Sequence, residues 1–316
     1  MAPLTLALVT TVLALIAHCD AFIPPSSVTH WCQARYGART GWLGRSGTGG
    51  AVLAETSEPE TTASEVMSER RDPKEWFDWV RGQAPPRPEA LAELSSAAEK
   101  KLEEIPLPNR KQEPFRYTEL EKMFRTNFVA GGAGSLATGE AVSEFRSADS
   151  AGQQLVFVNG ILNKELSDTS GLVGIEGLVA THLGGVSAEH MPQVQELLAH
   201  LPEVDADHRT RQGALPFASL NQACFSDVAV IMVEPGVEVE KPVQVLFVSD
   251  GSVGPSISHP RLLVSAGQGS KLRIRESFTG FGESHLTNAL GRVIVHEGAD
   301  VVSIRFEIYY CGGFEE

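Results

Sequence analysis

A seven-residue phrase with a central glycine occurs three times in the second half of the chain, and it constrains the fold more than any other feature. The copies are VEPGVEV at 233–239, AGQGSKL at 266–272 and VHEGADV at 295–301, with Gly236, Gly269 and Gly298 at their centres. Apolar and polar residues alternate around the phrases, which is typical of strands with one buried face. The pattern therefore predicts a strand, a glycine turn and a second strand, repeated.

A regular interval between the phrases, without a helix between the strands, favours a stacked array of β-strands in which each rung buries its apolar face against its neighbours. We therefore expect a β-solenoid. The alternative from periodicity alone is a β-sandwich or barrel with short hairpins. The last strand of the array is predicted from Val302, Ile304, Phe306 and Ile308, which alternate with polar residues.

The segment 1–54 differs in composition from the rest of the chain. Its stretch 4–17 is an uncharged apolar run, too short to cross a bilayer core of about 30 Å as a helix and suited to a signal peptide over 1–21. The stretch 22–54 contains three arginines and no acidic residue, which is typical of a transit peptide. This order resembles the bipartite presequences of algae with complex plastids, so we expect a plastid stromal protein. The alternative is secretion.

The remainder of the chain is strongly acidic. Of the 26 basic and 40 acidic residues in the sequence, 23 and 39 follow residue 54, a net charge of −16. Such a body is a poor ligand for nucleic acid or for anionic lipid surfaces. No later segment is long and apolar enough to suggest a membrane span. Cys224 and Cys311 are the two cysteines after residue 54, too few for a disulfide framework.

Helices are predicted ahead of the β array. The stretch 55–71 has the composition of a linker, and the stretch 72–150 is predicted to form an N-terminal helical region. Asp72 and Glu75 form a capping box around a proline, Thr118 and Glu121 form a second one, and apolar spacing predicts a helix over 88–105 between them.

Four segments, taken together, resemble a known family. They are IPLPNRKQEPFRYTEL at 105–120, LVFVNG at 155–160 followed by LSD at 166–168, PFASLNQACFSD at 216–227, and the group EKPVQV at 240–245, HPRLLV at 259–264 and RESF at 275–278. Their order and spacing resemble SufD, of the SufB/SufD family of scaffold subunits in SUF iron-sulfur cluster assembly. The third segment lacks the glycine expected after Asp227.

The resemblance implies a mainly β fold with an N-terminal α region, in which 151–316 forms a right-handed parallel β-helix. It implies a non-enzymatic scaffold that pairs with SufB and supports the SufC ATPase, with iron or an iron-sulfur cluster bound only transiently. The family's C-terminal helical segment, which binds SufC, is absent from this sequence. We therefore expect a β-helix that is incomplete at its C-terminal end, a truncated product whose SufC contact is not assigned. The alternatives are a secreted β-helix enzyme acting on acidic polysaccharide and an inert interaction module.

Four side chains are candidates for chemistry. A thiolate at Cys224 has the donor atom to hold iron or a nascent cluster, although free cysteines are usually buried structural residues. His259, His285 and His296 are candidate metal ligands if the fold brings them together, although a histidine in such a position is more often a turn or loop residue. No catalytic residue is predicted. The glycine-rich stretches lack the lysine and hydroxyl residue of a P-loop, so they do not predict nucleotide binding.

One carboxylate pair has the spacing that acid–base chemistry would need. Glu238 and Glu240 lie two positions apart in and beside the first glycine phrase and would share a strand face. Because they flank a turn, we expect both to be exposed to solvent.

Overall fold

The computed structural model describes residues 6–16, 72–84, 91–112, 115–132, 135–200, 209–282 and 284–307, which form a mixed α/β fold with parallel and antiparallel strand pairs. The helices are α1 (Pro73–Gly82), α2 (Ala92–Glu104), α3 (Leu120–Arg125), α4 (Gly139–Ser143), α5 (Met191–Ala199) and α6 (Arg209–Cys224). The strands are β1 (Leu6–Ile16), β2 (Val129–Ala130), β3 (Gln154–Val158), β4 (Ile161–Leu162), β5 (Leu178–His182), β6 (Ala229–Val233), β7 (Val243–Asp250), β8 (Ser256–Ser258), β9 (Arg261–Ala266), β10 (Lys271–Phe281), β11 (His285–Val295) and β12 (Asp300–Glu307).

The predicted presequence and linker fall almost entirely outside the described residues. Within the predicted signal peptide, residues 6–16 form β1, which pairs antiparallel with β11. The transit-peptide-like segment 22–54 and the linker 55–71 lie outside the described residues. Among the described helices, none combines the length and the apolarity needed to cross a membrane.

From β6 onward, the strands are divided between two sheets. β6, β8, β9 and β11 lie in the first sheet, and β7, β10 and β12 lie in the second. The neighbouring pairs β6–β9, β9–β11, β7–β10 and β10–β12 are all parallel. The parallel pairs show that these strands do not form the antiparallel hairpins that the sandwich alternative required. We call each unit of strand, glycine turn and strand a coil. The right-handed β-helix itself stays a prediction.

The glycine phrases stack on one another, as the repeat predicts. Leu262 of β9 lies opposite Ala229 of β6, a separation in sequence equal to that between Gly236 and Gly269. β11 follows β9 in the same way, at the spacing between Gly269 and Gly298. All three glycines adopt positive φ angles of 75°, 68° and 71°, a conformation that glycine adopts without steric cost.

Backbone hydrogen bonds join the neighbouring turns. Gly236 N–H donates to the Gln268 carbonyl at 2.8 Å, and Gly269 N–H donates to the Glu297 carbonyl at 3.0 Å. Each glycine turn is thus tied directly to the turn of the next coil.

An apolar core fills the space between the two sheets. It contains buried residues from both, among them Phe157, Phe247 and Phe278 of the second sheet and Ile231 and Val264 of the first. The three phenylalanines lie in a row, with ring centroids 5.4 Å and 5.1 Å apart. Short antiparallel strands, β4 on β3 and β5 on β6, border the sheets on the side opposite β12.

α4 packs through Val142 against the second sheet, whereas α1, α2, α3 and α6 cover the outer face of the first sheet. Their core contains Trp76, Phe77 and Phe217 together with Ile257 of β8 and Leu286 of β11. The Phe217 ring of α6 lies 5.6 Å from the Phe77 ring and 6.0 Å from the Phe115 ring, so it joins α1 to the segment that precedes α3. This core fastens the helical region to the coils.

One of the two predicted capping boxes forms. The Asp72 carboxylate accepts a hydrogen bond from Lys74 N–H at 2.8 Å, and Glu75 reaches back to Asp72 N–H at 3.3 Å. The prediction at Thr118 is wrong, because the N-cap of α3 is the next residue, Glu119, without a side-chain cap. Thr118 N–H is instead used in a turn with the Phe115 carbonyl.

β12 has the predicted alternation, but its apolar side chains face solvent. Val302 and Ile304 are 44% and 47% exposed and lie in register with Arg273 and Arg275 on the outer side of β10. On the inner side, Arg305 pairs with the buried Glu276 carboxylate at 2.7 Å. The register with β10 therefore places the apolar side of this strand outward.

Candidate functional site

A cavity of about 570 Å³ lies where the helical region meets the coils. We call it the junction pocket. Its lining comes from the end of α1, from β2 and the following glycines, from the β3–β4 hairpin, from the end of α6 and from β8. It includes Gly131, Asn159, Gly160, Cys224, Ser258 and His259. Pockets of this size, formed between elements, are the usual places for small ligands.

The β3–β4 hairpin forms one wall of the pocket through a two-residue turn. Asn159 and Gly160 have φ angles of 49° and 82°, and asparagine–glycine pairs are preferred where both central residues need positive φ. The Asn159 side chain donates to the carbonyls of Gly132 and Asp250, at 3.0 Å and 3.1 Å, and accepts from Asp250 N–H at 2.8 Å. This amide therefore holds the hairpin, β7 and the segment after β2 together.

Asp250 anchors the same corner. Its carboxylate accepts hydrogen bonds from the backbone N–H groups of Leu136 and Ala137, both at 2.8 Å, and of Ser252 at 2.9 Å. Burial raises the pKa of this carboxyl, but the hydrogen bonds from Ser252, Ala137 and Leu136 outweigh it, so the pKa lies below its usual value. Asp250 is therefore ionised at neutral pH and has a structural role.

Asp227 fastens the opposite side of the hairpin. Its two oxygens accept from the N–H groups of Leu162 and Leu183, each at 3.1 Å, and from Val228 N–H at 2.8 Å. The His182 ring nitrogen Nδ1 lies 3.1 Å from the same carboxylate. Sequence reasoning missed this pair, because the two residues are 45 positions apart. The signal available was that Asp227 ends the third family-like segment.

Cys224 lies at the end of α6 and lines the junction pocket, although only 1% of its surface is exposed. It belongs to the same apolar core as Trp76 and Phe217. The burial agrees with the structural interpretation of this cysteine.

His259 also lines the pocket and is buried. Burial lowers the pKa of its imidazole to about 3, so the ring is neutral at physiological pH. The Asn288 amide nitrogen lies 3.2 Å from Nδ1 and also donates to the Phe217 carbonyl at 2.9 Å. The bond to the Phe217 carbonyl identifies this atom of Asn288 as the amide nitrogen, which is a donor. His259 Nδ1 therefore accepts a hydrogen bond from it, and the single proton of the neutral ring is on Nε2.

The structure brings Cys224 and His259 to one pocket but places His285 elsewhere. His285 lies on β11 in register with Ser256 and is 4% exposed, and burial lowers its pKa. His296 lines a different cavity, beside the glycine turns. Among the described residues, no three side chains of histidine, cysteine, aspartate or glutamate are grouped as a metal site would need.

The paired carboxylates at the first glycine phrase are exposed, as expected. Glu238 and Glu240 both face solvent, and Glu238 pairs with Lys271 at 3.0 Å. Lys271 belongs to the next coil. This contact therefore joins neighbouring coils at the surface.

The wall of the pocket and most of the helices behind it fall within a stretch that matches one protein family. The family model described as the SufBD protein N-terminal region matches residues 86–245, about half of the chain. The chain belongs to the SufBD family. This agrees with the resemblance carried by the four sequence segments.

Two curated proteins are similar to the chain. One is an iron-sulfur cluster assembly SufBD family protein of Synechocystis sp., 27% identical over 215 residues, which are 65% of this chain and 44% of that protein. The other is the chloroplastic protein ABCI7 of Arabidopsis thaliana, 24% identical over 219 residues, which are 66% of this chain and 42% of that protein. The chain thus spans less than half the length of these relatives.

Proposed function

We propose that the protein is a SufD-type scaffold subunit of plastid iron-sulfur cluster assembly, which pairs with a SufB-type protein and supports a SufC-type ATPase. In this proposal it performs no catalysis of its own. Iron and the nascent cluster are cargo of the complex, and the fold is a right-handed β-helix behind a helical region.

Membership of the SufBD family is the observation that carries this proposal. The match runs from the helical region into the first coils, so it includes both parts of the fold. The Synechocystis relative is named for iron-sulfur cluster assembly, and the Arabidopsis relative is named chloroplastic. These names, together with the presequence composition, support assembly in a plastid.

The outer side of β12 supports a partner contact. Val302, Ile304 and Phe306 are 44%, 47% and 37% exposed and form one apolar stripe. Arg275 flanks it, with its guanidinium carbon 4.8 Å from the centre of the Phe306 ring. Contiguous apolar side chains with a polar border are typical of protein interfaces. We propose that the SufB-type partner covers this stripe.

Co-purification tests the proposal. The tagged full chain is co-expressed with SufB-type and SufC-type proteins from a plastid-bearing alga, and the captured complex is measured by size-exclusion chromatography with light scattering. We expect the SufB-type protein to be captured at a defined stoichiometry. If neither the SufB-type nor the SufC-type protein were captured under conditions where the chain is folded, the result would contradict the proposed function.

A matched pair of variants tests the stripe. Ile304→Lys places a charge in the stripe, and Val173→Lys places the same charge at a valine that is 81% exposed and away from it. We expect Ile304→Lys to reduce capture about tenfold, which corresponds to about 1.4 kcal/mol, and Val173→Lys to leave it unchanged. Equal capture by both variants would remove the stripe from the interface, with the family function still standing.

A further inference from the structure

The space between the two sheets has an apolar part and a polar part. The apolar inter-sheet core is adjoined by Ser249, Ser256, Ser258, His285 and Thr287, all at most 6% exposed. We call these five residues the internal polar cluster. Buried polar groups need partners, because leaving one without a hydrogen bond costs free energy.

Strand alternation shows that the cluster faces the space between the sheets. Ser249 comes two positions after Phe247 of the inter-sheet core, and Thr287 comes two positions before Ala289 of the same core. The Ser249 hydroxyl lies 3.0 Å from the Ser258 hydroxyl and 2.6 Å from the Thr287 hydroxyl. The two sheets therefore meet here through hydroxyl groups.

Two polar atoms of the cluster have no partner within the described structure. They are Ser256 Oγ and His285 Nδ1, each with essentially no exposed surface. Their residues are 1% and 4% exposed and lie directly opposite each other on the parallel strands β8 and β11. Two orphaned atoms on adjacent strands thus lie on the same side of the first sheet.

The space beside His285 depends on a glycine. A Cβ atom added to Gly280 of β10 would lie 2.2 Å from His285 Cε1 and 2.3 Å from Nε2. The imidazole therefore lies directly on the Gly280 backbone, and the second sheet leaves room for the ring only because Gly280 has no side chain. The His285 ring is therefore attached to the first sheet and packed against the second, and the two sheets together fix the position of its Nδ1 atom.

The hydroxyl hydrogens of the cluster outnumber the hydrogen bonds that form within it. Ser249, Ser258 and Thr287 have three O–H hydrogens but form two hydrogen bonds among themselves, so one donor is left over in any arrangement. The Ser256 hydroxyl adds another donor, and a neutral imidazole with its proton on Nε2 adds one acceptor at Nδ1. A single water molecule accepts from a hydroxyl and donates to an imidazole nitrogen.

We propose that the internal polar cluster is a buried solvent site, in which an ordered water accepts a hydrogen bond from Ser256 Oγ and donates one to His285 Nδ1. Ser258 belongs to the cluster and also lines the junction pocket, so the cluster adjoins that pocket. Buried waters of this kind typically form about three hydrogen bonds. The class of ligand is therefore a neutral molecule of the size of water.

Crystallography and a double-mutant cycle on the full chain test this proposal. High-resolution density is expected to show one water within hydrogen-bond distance of both atoms. Ser256→Ala and His285→Phe are each expected to lower the unfolding midpoint, and the double variant is expected to lower it by less than the sum, because the same water is lost in each case.

Ser270→Ala supplies the control. Ser270 is also fully buried with an unpartnered hydroxyl, but it belongs to the glycine turn before β10. Combined with Ser256→Ala it should give strictly additive losses. A dry site with additive losses for Ser256 and His285 would overturn the proposal, and so would density with the coordination of a metal ion.

Discussion

Among single residues of the junction pocket, Asn159 is held by three side-chain hydrogen bonds and by close contact with Gly131. The Asn159 amide forms the hydrogen bonds that join the β3–β4 hairpin to β7 and to the segment after β2. The backbone at Gly131 lies close against this side chain. A Cβ on Gly131 would lie 2.3 Å from Asn159 Cγ, whereas one on Gly132 would meet nothing within 4 Å. Two neighbouring glycines therefore have different structural roles.

Gly131→Ala is expected to lower the free energy of unfolding by about 1–3 kcal/mol, because the methyl group has to displace a side chain with three hydrogen bonds. Gly132→Ala is expected to change it by no more than about 0.5 kcal/mol. Urea denaturation of both variants measures the difference. If both variants lost the same small amount of unfolding free energy, the backbone near Asn159 would be able to accommodate the methyl group of Gly131→Ala.

His259 makes stability depend on pH. Its pKa is about 3 in the folded protein and about 6.5 in an unfolded chain. The unfolded state therefore binds the proton more readily, and stability is full above about pH 6.5 and falls as the pH is lowered toward 3. His259→Gln removes this titration and is expected to make the stability–pH curve shallower between about pH 4 and 6, by up to about 1.4 kcal/mol per pH unit.

The matched control for His259 is His200→Gln, which removes an exposed imidazole at the end of α5. Chemical denaturation at a series of pH values is the measurement, and the carboxyl groups shared by all variants cancel in the comparison. If both variants had the same pH dependence as the wild type, protonation of His259 would not be linked to unfolding.

Among the elements, helix ends are satisfied in two different ways. α1 is capped by its own neighbours in sequence, whereas the last carbonyls of α5 accept from arginines of the first sheet. Arg261 donates to the Leu198 carbonyl at 3.2 Å, and Arg292 donates to the Leu197 carbonyl at 2.9 Å. Burial, with a smaller effect of Arg292, lowers the pKa of Arg261 to about 9. Positive charge at a helix C-terminus is stabilising, so these contacts help to dock α5 on the sheet.

Asp72→Ala and Thr118→Ala separate a working capping box from one that exists only in the sequence. Asp72→Ala removes the cap of α1 and is expected to destabilise the protein by about 1 kcal/mol. Thr118→Ala removes a side chain that does not cap α3, and we expect a change of no more than about 0.5 kcal/mol. Thermal unfolding measures both. A larger loss from Thr118→Ala would mean that this box forms after all.

In the molecule as a whole, the helices and the coils share a core and are expected to unfold together. Ile257 and Leu286 of the first sheet pack into the same cluster as Trp76 and Phe217. A domain whose parts share a large buried core usually unfolds in one transition.

Phe217→Ala removes the ring that contacts both Phe77 and Phe115, with an expected loss of about 3–5 kcal/mol. In a background with Trp31 and Trp42 replaced by phenylalanine, fluorescence reports on the two tryptophans of α1 and circular dichroism on the whole fold. The two curves are expected to coincide in the unsubstituted core and to separate in Phe217→Ala. Separate curves before the substitution would show independent units.

The strand–turn–strand repeat, its stacking interval, the capping box of α1 and the family could all be predicted from the order of residues. The capping box depends on residues a few positions apart, and the repeat and the family-like segments are patterns in the order of residues, so none of them requires knowledge of the long-range contacts. The three-dimensional fold was needed to place Cys224 and His259 in one pocket, to turn His285 toward the inter-sheet space, and to expose the apolar side of β12. Burial, register and hydrogen-bond partners depend on residues far apart in the chain, such as Leu136 and Asp250, which lie 114 positions apart.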